Sequence, residues 1–156
     1  MYKESLHQWK ATEILWRVVN LTPSYTSNPA IVLLPLSHPK IDVNAYDNNL
    51  NTPLRRELRY SLHQAVGVRL RNGKVDVNIT SFYSQSVLHL AVERNDSLMT
   101  EILLKMKCVD VNLVDNDGDT ALKACKRGYA TVAELIIKQK TIDYNKSSTR
   151  NCSDHL

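Results

Sequence analysis

Ile41-Asp-Val-Asn44 returns as Val75-Asp-Val-Asn78, as Val109-Asp-Val-Asn112 and as Ile142-Asp-Tyr-Asn145, with first residues 34, 34 and 33 positions apart. A second marker keeps the same phase further along each unit. Thr52-Pro53-Leu54, Ser86-Val87-Leu88 and Thr120-Ala121-Leu122 also stand 34 apart. Two independent markers in one register define an internal repeat. A period in the thirties belongs to architectures built from stacked supersecondary units.

Each unit reads as the same local structure. Thr52, Ser86 and Thr120 are hydroxyl residues placed to accept hydrogen bonds from the unpaired N–H groups that open a helix. Pro53 occupies the first helical position, where its missing N–H costs nothing. The short helix is broken by Asn95-Asp96-Ser97 in one unit and by Gly128-Tyr-Ala-Thr131 in another. A second helix follows with apolar residues at helical spacing: Leu98, Met99, Ile102 and Leu103, then Val132, Leu135 and Ile136. Polar turn residues and the Asp-x-Asn segment lead into the next unit.

These segments carry a family resemblance. The run from Asp42 to Leu54 (Asp-Val-Asn-Ala-Tyr-Asp-Asn-Asn-Leu-Asn-Thr-Pro-Leu) resembles the ankyrin pattern, as do Ser86-Val-Leu-His-Leu-Ala91 and Asp115-Asn-Asp-Gly-Asp-Thr-Ala-Leu122. The resemblance covers about residues 41–145. It implies an all-α fold, an ankyrin-repeat solenoid of about four helix-turn-helix units with protruding loops. Residues 41–74, 75–108 and 109–141 are the expected repeats, residues 1–40 a degenerate N-terminal capping repeat, and 146–156 a partial repeat or disordered tail. In the cap, Glu4 to Val19 reads as a helix with Leu6, Trp9, Ile14, Leu15 and Val18 as core contacts. Asn28-Pro29 opens a second helix through Leu36.

Departures from the pattern give the chain its individuality. Arg55, Arg56 and Glu57 stand where the family places His and small residues, so Arg56 and Glu57 are expected near the packed side, on a longer or rotated helix. His89 keeps the family's imidazole, while Arg55 and Lys123 replace it. Leu50 and Ser84 replace the turn glycine retained as Gly118, which predicts a different backbone at two loop tips. One residue is missing between Leu122 and Gly128.

Composition narrows the function. The 156 residues are 43% hydrophobic and 23% charged, as in a folded domain, with one Phe and four Gly, against a Gly-punctuated β protein. Twenty basic and 16 acidic residues give +4, and Arg55, Arg56, Arg59, Arg69, Arg71 and Lys74 make one unit basic. Glu57, Glu93, Asp96 and Glu101 interrupt the charge and no stacking ladder of aromatics accompanies it, which disfavours nucleic acid. Cys108, Cys125 and Cys152 lack disulfide or zinc spacing and point to a reducing compartment, cytoplasmic or nuclear, or a host cell if the source is a pathogen. The longest apolar run, Ala30 to Leu36, is too short for a membrane span, and the opening Met1–Trp9 lacks the apolar stretch of a signal peptide.

Candidate chemistry is sparse. Cys125 as nucleophile with His89 as base is outweighed by a core thiol and a structural imidazole bonding the neighbouring loop. Asp115, Asp117 and Asp119 around Gly118 miss the calcium-loop pattern, because the glycine falls between the second and third Asp and Ala124 stands where a Glu is needed. Cys152 and His155 are only two ligands. No catalytic residue, cofactor or metal is expected.

The resemblance therefore implies a monomeric protein-protein interaction module that binds through its concave face and loop fingers. Carried over repeat by repeat, the partner-binding positions are Tyr46, Asn48, Asn51, Arg59 and Tyr60; Thr80, Phe82, Tyr83, Gln85, Glu93 and Arg94; and Val114, Asn116, Asp119, Lys126 and Arg127. Phe82 and Tyr83 lead this set, being aromatic where such loops are commonly polar. The alternatives are a substrate-targeting or scaffold segment of a larger enzyme or host-directed effector, then an intrinsic hydrolase or a nucleic-acid binder.

Overall fold

The computed structural model describes residues 41–125, 128–139 and 142. The expected capping helices in residues 1–40, the last tetrapeptide beyond Ile142, the tail with Cys152 and His155, and Lys126 and Arg127 lie outside the described residues. The chain divides into two compact units, 1–79 and 80–156. Among the described residues the regular structure is helical: α1 (Pro53–Arg59) and α2 (His63–Arg71) in the first unit, and α3 (Val87–Glu93), α4 (Ser97–Leu104) and α5 (Ala130–Ile137) in the second.

The capping chemistry starts the helices where the repeat places them. Thr52 is extended and its hydroxyl accepts from Arg55 N–H, with Pro53 at the first position of α1. Ser86 does the same for α3 through His89 N–H, and the His89 ring reaches back to the Ser86 backbone to complete a reciprocal cap. Asp96 caps α4 by accepting from Met99 N–H at 3.0 Å. The third unit behaves differently. Thr120 Oγ1 accepts from Lys123 N–H, but Ala121 to Ala124 form only a single turn, closed by Ala124 N–H to Thr120 O at 2.9 Å. The missing residue between Leu122 and the left-handed Gly128 shortens the very segment that the other units use for a helix. Thr131, expected in the break, lies inside α5, which begins after Tyr129 without a side-chain cap.

In the first unit α1 packs on α2, and Val43, Leu54, Leu58, Ala65, Val66, Leu70 and Val77 are buried. In the second, α3 packs on α4 and α4 on α5, burying Val87, Leu88, Ala91, Val92, Met99, Leu103, Val111, Val132 and Ile136. Many of these positions are one repeat apart: Val43, Val77 and Val111; Leu54 and Leu88; Leu58 and Val92; Ala65 and Met99. Leu98, one of the apolar residues at helical spacing, is exposed, because α4 buries only the narrow stripe of Met99, Thr100 and Leu103.

One core position is filled in an unusual way. Glu57 and Arg69 are both fully buried, and Arg69 Nε donates to Glu57 Oε2 at 2.8 Å while Nη2 donates to Oε1. One repeat later these positions are Ala91 and Leu103, a plain apolar pair. The Arg69 side chain thus occupies a leucine's place, and Glu57, arriving from α1, neutralises it. The expectation that Glu57 turns toward packing is met. α1 is no longer than α3, and Arg56 remains at the edge, its Nε 3.2 Å from Asp47 Oδ2.

Two stability predictions follow from these positions. Breaking the buried pair by Glu57→Gln or Arg69→Met is expected to cost about 3–5 kcal/mol, because the remaining charge is stranded away from water. The double variant Glu57→Ala/Arg69→Leu, which copies the neighbouring repeat, is expected to recover most of that loss in urea unfolding. Leu50 is held at φ 55° where the third unit has Gly118 at φ 76°. Leu50→Gly is expected to raise unfolding free energy by up to about 1 kcal/mol, since glycine relieves left-handed strain and loses some of that gain to chain entropy.

Candidate functional site

The loops that lead into α1, into α3 and into the Thr120 turn are three copies of one device. Asp47, Ser81 and Asp115, spaced by 34, each open a four-residue turn. The turn is closed by Leu50 N–H to Asp47 O, Ser84 N–H to Ser81 O and Gly118 N–H to Asp115 O, at 2.9–3.0 Å. Its neck is held by Asp47 N–H to Asn51 O, Ser81 N–H to Gln85 O and Asp115 N–H to Asp119 O, all at 3.0 Å. The side chain of the first residue secures the amides above it. Asp47 Oδ1 accepts from Asn49 and Asn51 N–H at 2.8 Å, Asp115 Oδ1 from Asp117 and Asp119 N–H, and Ser81 Oγ from Tyr83 N–H at 3.3 Å. This marker was missed in the sequence, although its spacing is as regular as that of the hydroxyl caps.

Leu50, Ser84 and Gly118 follow the turn at φ 55°, 56° and 76°. All three fingers therefore share one backbone, and the expectation of different tips at Leu50 and Ser84 is corrected. Carbonyl and amide bonding at the neck fixes the left-handed residue whatever its side chain.

The two residues at each tip are Asn48-Asn49, Phe82-Tyr83 and Asn116-Asp117. Phe82 and Tyr83 do not fold back on the loop. They are 69% and 64% exposed, with ring centroids 5.5 Å apart and planes at 90°. Within the second unit the next finger grips this one: Asn116 N–H donates to Tyr83 O at 3.1 Å, Asn116 Nδ2 to Phe82 O at 3.4 Å, and Ser84 Oγ to Asn116 Oδ1 at 2.6 Å. Two fingertips become one hydrogen-bonded ledge with the aromatic pair on it. Below it, Gln85 Nε2 donates to Glu93 Oε1 at 2.7 Å, joining the finger's neck to the end of α3. Val114 pairs with Thr120 across the next neck in an isolated antiparallel bridge.

The other expected positions distribute as follows. Tyr46 and Asn48 are exposed on the first finger, and Arg59 and Tyr60 are exposed at the end of α1. Arg94 is exposed at the end of α3, and Thr80 and Asp119 are half-buried. Asn51 faces inward: it is only 8% exposed, and its Nδ2 donates to the Asp47 carboxylate at 3.2 Å, which holds the finger.

The histidine and the carboxylates have structural work. His89 Nδ1 accepts from Ser86 N–H, and its Nε2 lies 2.9 Å from Asp119 O, partners that place the proton on Nε2. The ring thereby ties α3 to the neck of the following finger. Burial pushes the Cys125 thiol up, opposite to the shift that activates a nucleophile. Asp119 Oδ1 meets Lys123 Nζ at 2.6 Å, and no group of three or more potential metal ligands gathers among the described residues. Burial works to raise the Asp47 carboxyl, but hydrogen bonds from Asn51 and Asn49 and the Arg56 charge outweigh it and hold it below its ordinary value of 3.8.

Known proteins resemble this chain in sequence and in fold. A family profile for ankyrin repeats (many copies) matches residues 70–123. A putative ankyrin repeat protein of fowlpox virus (strain NVSL) is 34% identical over 85 residues, 53% of this chain and 24% of that protein. The human transient receptor potential cation channel subfamily A member 1 is 28% identical over 94 residues, 60% of this chain and 8% of the channel. Among solved structures, the ankyrin repeat protein EF0377 superposes with TM-score 0.72 at 20% identity, covering 85% of this chain and 64% of that one. An ankyrin repeat domain from Acinetobacter baumannii AYE gives 0.63 at 25% identity, covering 73% and 61%.

The Asp47 anchor makes a pH prediction. A carboxyl held low in the fold stabilises it above its unfolded value and loses that contribution as pH falls through its folded value. Wild type is thus expected to be more stable than Asp47→Asn at pH 6, with the gap shrinking as pH drops below 3.8, measured by urea unfolding across the range.

Proposed function

Because this chain is a member of the ankyrin-repeat family, we propose that it recognises a partner protein through the ledge that Phe82 and Tyr83 form with Asn116. Ankyrin repeats are in general protein-interaction modules. The observation that carries the reading is the exposure of two large rings on backbone that is hydrogen-bonded at both ends. Rigid aromatics on an ordered loop give up contact area to water in the free protein and recover it in a complex, with little ordering cost. Gln85, Glu93 and Val114 border the ledge. In the first unit Tyr46, Asn48, Arg59 and Tyr60 are the exposed counterparts. Asp119 contributes less, because Lys123 already engages its carboxylate, and Thr80 and Arg94 are secondary positions beside it.

A second reading has support from length. The chain spans about a quarter or less of the curated relatives it matches. On that reading the module is the targeting or scaffold segment of a larger enzyme or effector, with any chemistry elsewhere. The ankyrin fold is typically non-enzymatic. No helix among the described residues is long and apolar enough to cross a membrane, and the module is proposed to act inside a cell as a monomer.

Phe82→Ala combined with Tyr83→Ala is the direct test. Proteins retained by immobilised wild type are expected to be lost on the double variant, since each truncated anchor costs about 2 kcal/mol or more of binding. The melting temperature is expected to stay within a few degrees, because neither ring packs in the core. Retention of the same proteins by the double variant would remove these residues from the interface.

A further inference from the structure

Building on the reading above, we propose that the occupant of the Phe82–Tyr83 ledge is a basic peptide segment of the partner. An arginine or lysine of that segment is shared between an aromatic face and the carboxylate of Asp117. Asp117 holds the second tip position of the finger bonded to this one, the position that Tyr83 holds in its own finger. The three acidic residues of that finger have different fates. Asp115 is turned inward onto the Asp117 and Asp119 amides, and Asp119 is neutralised by Lys123. Asp117 is exposed, only its backbone N–H enters the turn, and no cation lies beside its carboxylate among the described residues.

The neighbouring charges point the same way. Residues 80–119 carry seven acidic and three basic side chains, within a chain whose total is +4. Two of the seven carboxylates are already matched, Glu101 by Lys105 on α4 and Asp119 by Lys123. At the foot of the aromatic finger the Glu93 carboxylate is half-exposed and fixed by Gln85. Residues 80–86 contain no charge of either sign. The ledge is therefore an apolar aromatic pair bordered by carboxylate, and the edge-to-face geometry leaves a ring face open to solvent. A guanidinium or ammonium meets the negative ring face and the carboxylate together. An acidic segment, or a nucleic-acid backbone, would instead be repelled at the rim.

The probe is a displayed library of random peptides, selected in parallel on wild type, on Phe82→Ala/Tyr83→Ala and on Asp117→Asn. Peptides that wild type retains and the aromatic double variant loses are expected to be enriched in Arg or Lys over the library. The best of them, synthesised, is expected to bind Asp117→Asn about three- to tenfold more weakly and to lose affinity as NaCl is added. Aromatic-dependent peptides with no basic enrichment, or unchanged affinity at Asp117→Asn, would overturn the basic occupant while leaving the ledge as the binding site. Peptides indifferent to Phe82 and Tyr83, or a library yielding none, would overturn both. Displacement of the peptide by a single-stranded oligonucleotide bound at the ledge would also overturn the inference.

Discussion

A pair of helices of seven to nine residues cannot hide its own apolar side, and the rest of this structure answers to that constraint. Each pair needs a neighbour, so the same few positions must face inward in every repeat. Val43, Val77 and Val111 do this at the base of the loops, as Met99, Leu103, Val132 and Ile136 do where α4 meets α5. The same demand explains why Glu57 and Arg69 are buried together. The repeat places both side chains inside, and one carboxylate matched to one guanidinium is the arrangement that leaves neither charge alone. In the first unit, Asn44 extends the linkage through backbone: its Nδ2 donates to Lys74 O at 3.0 Å and its Oδ1 accepts from Asp76 N–H at 2.9 Å.

The proposed recognition surface sits on the part of the repeat that the core leaves unconstrained. The finger's necks and first residues are repeated because they make the turn, whereas its two tip residues touch nothing in the core and vary freely. Asn48-Asn49, Phe82-Tyr83 and Asn116-Asp117 are three chemistries on one backbone. Asn116 instead binds the carbonyls of Phe82 and Tyr83, and in doing so adds a second support to that finger.

The repeat was legible from the 34-residue spacing, and its helices from the hydroxyl caps, the helical spacing of apolar residues and the resemblance these carry, because capping and burial impose the same residue types at the same positions. The buried direction of Glu57 was legible too, but not its partner. Arg69 reads as one more surface cation until the register shows it standing where Leu103 stands. Other features escaped for physical reasons. Asn51 looks like an ordinary polar tip residue, yet a single carboxylate, Asp47, draws it inward. Leu50 and Ser84 suggest new backbone, yet the neck hydrogen bonds dictate the same left-handed turn. The third unit's first helix was expected from its cap, but one missing residue leaves only a turn among the described residues. Of the candidate site, the aromatic pair was legible by its type, while its clamp by Asn116 required coordinates.

The account depends on the aromatic pair being displayed on an already ordered ledge in the free protein. Backbone amide order parameters from nitrogen relaxation at Phe82, Tyr83 and Asn116 measure this most directly. Values near those of α3 and α4, about 0.85, are expected if the three hydrogen bonds between the fingers hold in solution. Values below about 0.6 at these amides, with α3 and α4 rigid, would contradict a preformed ledge.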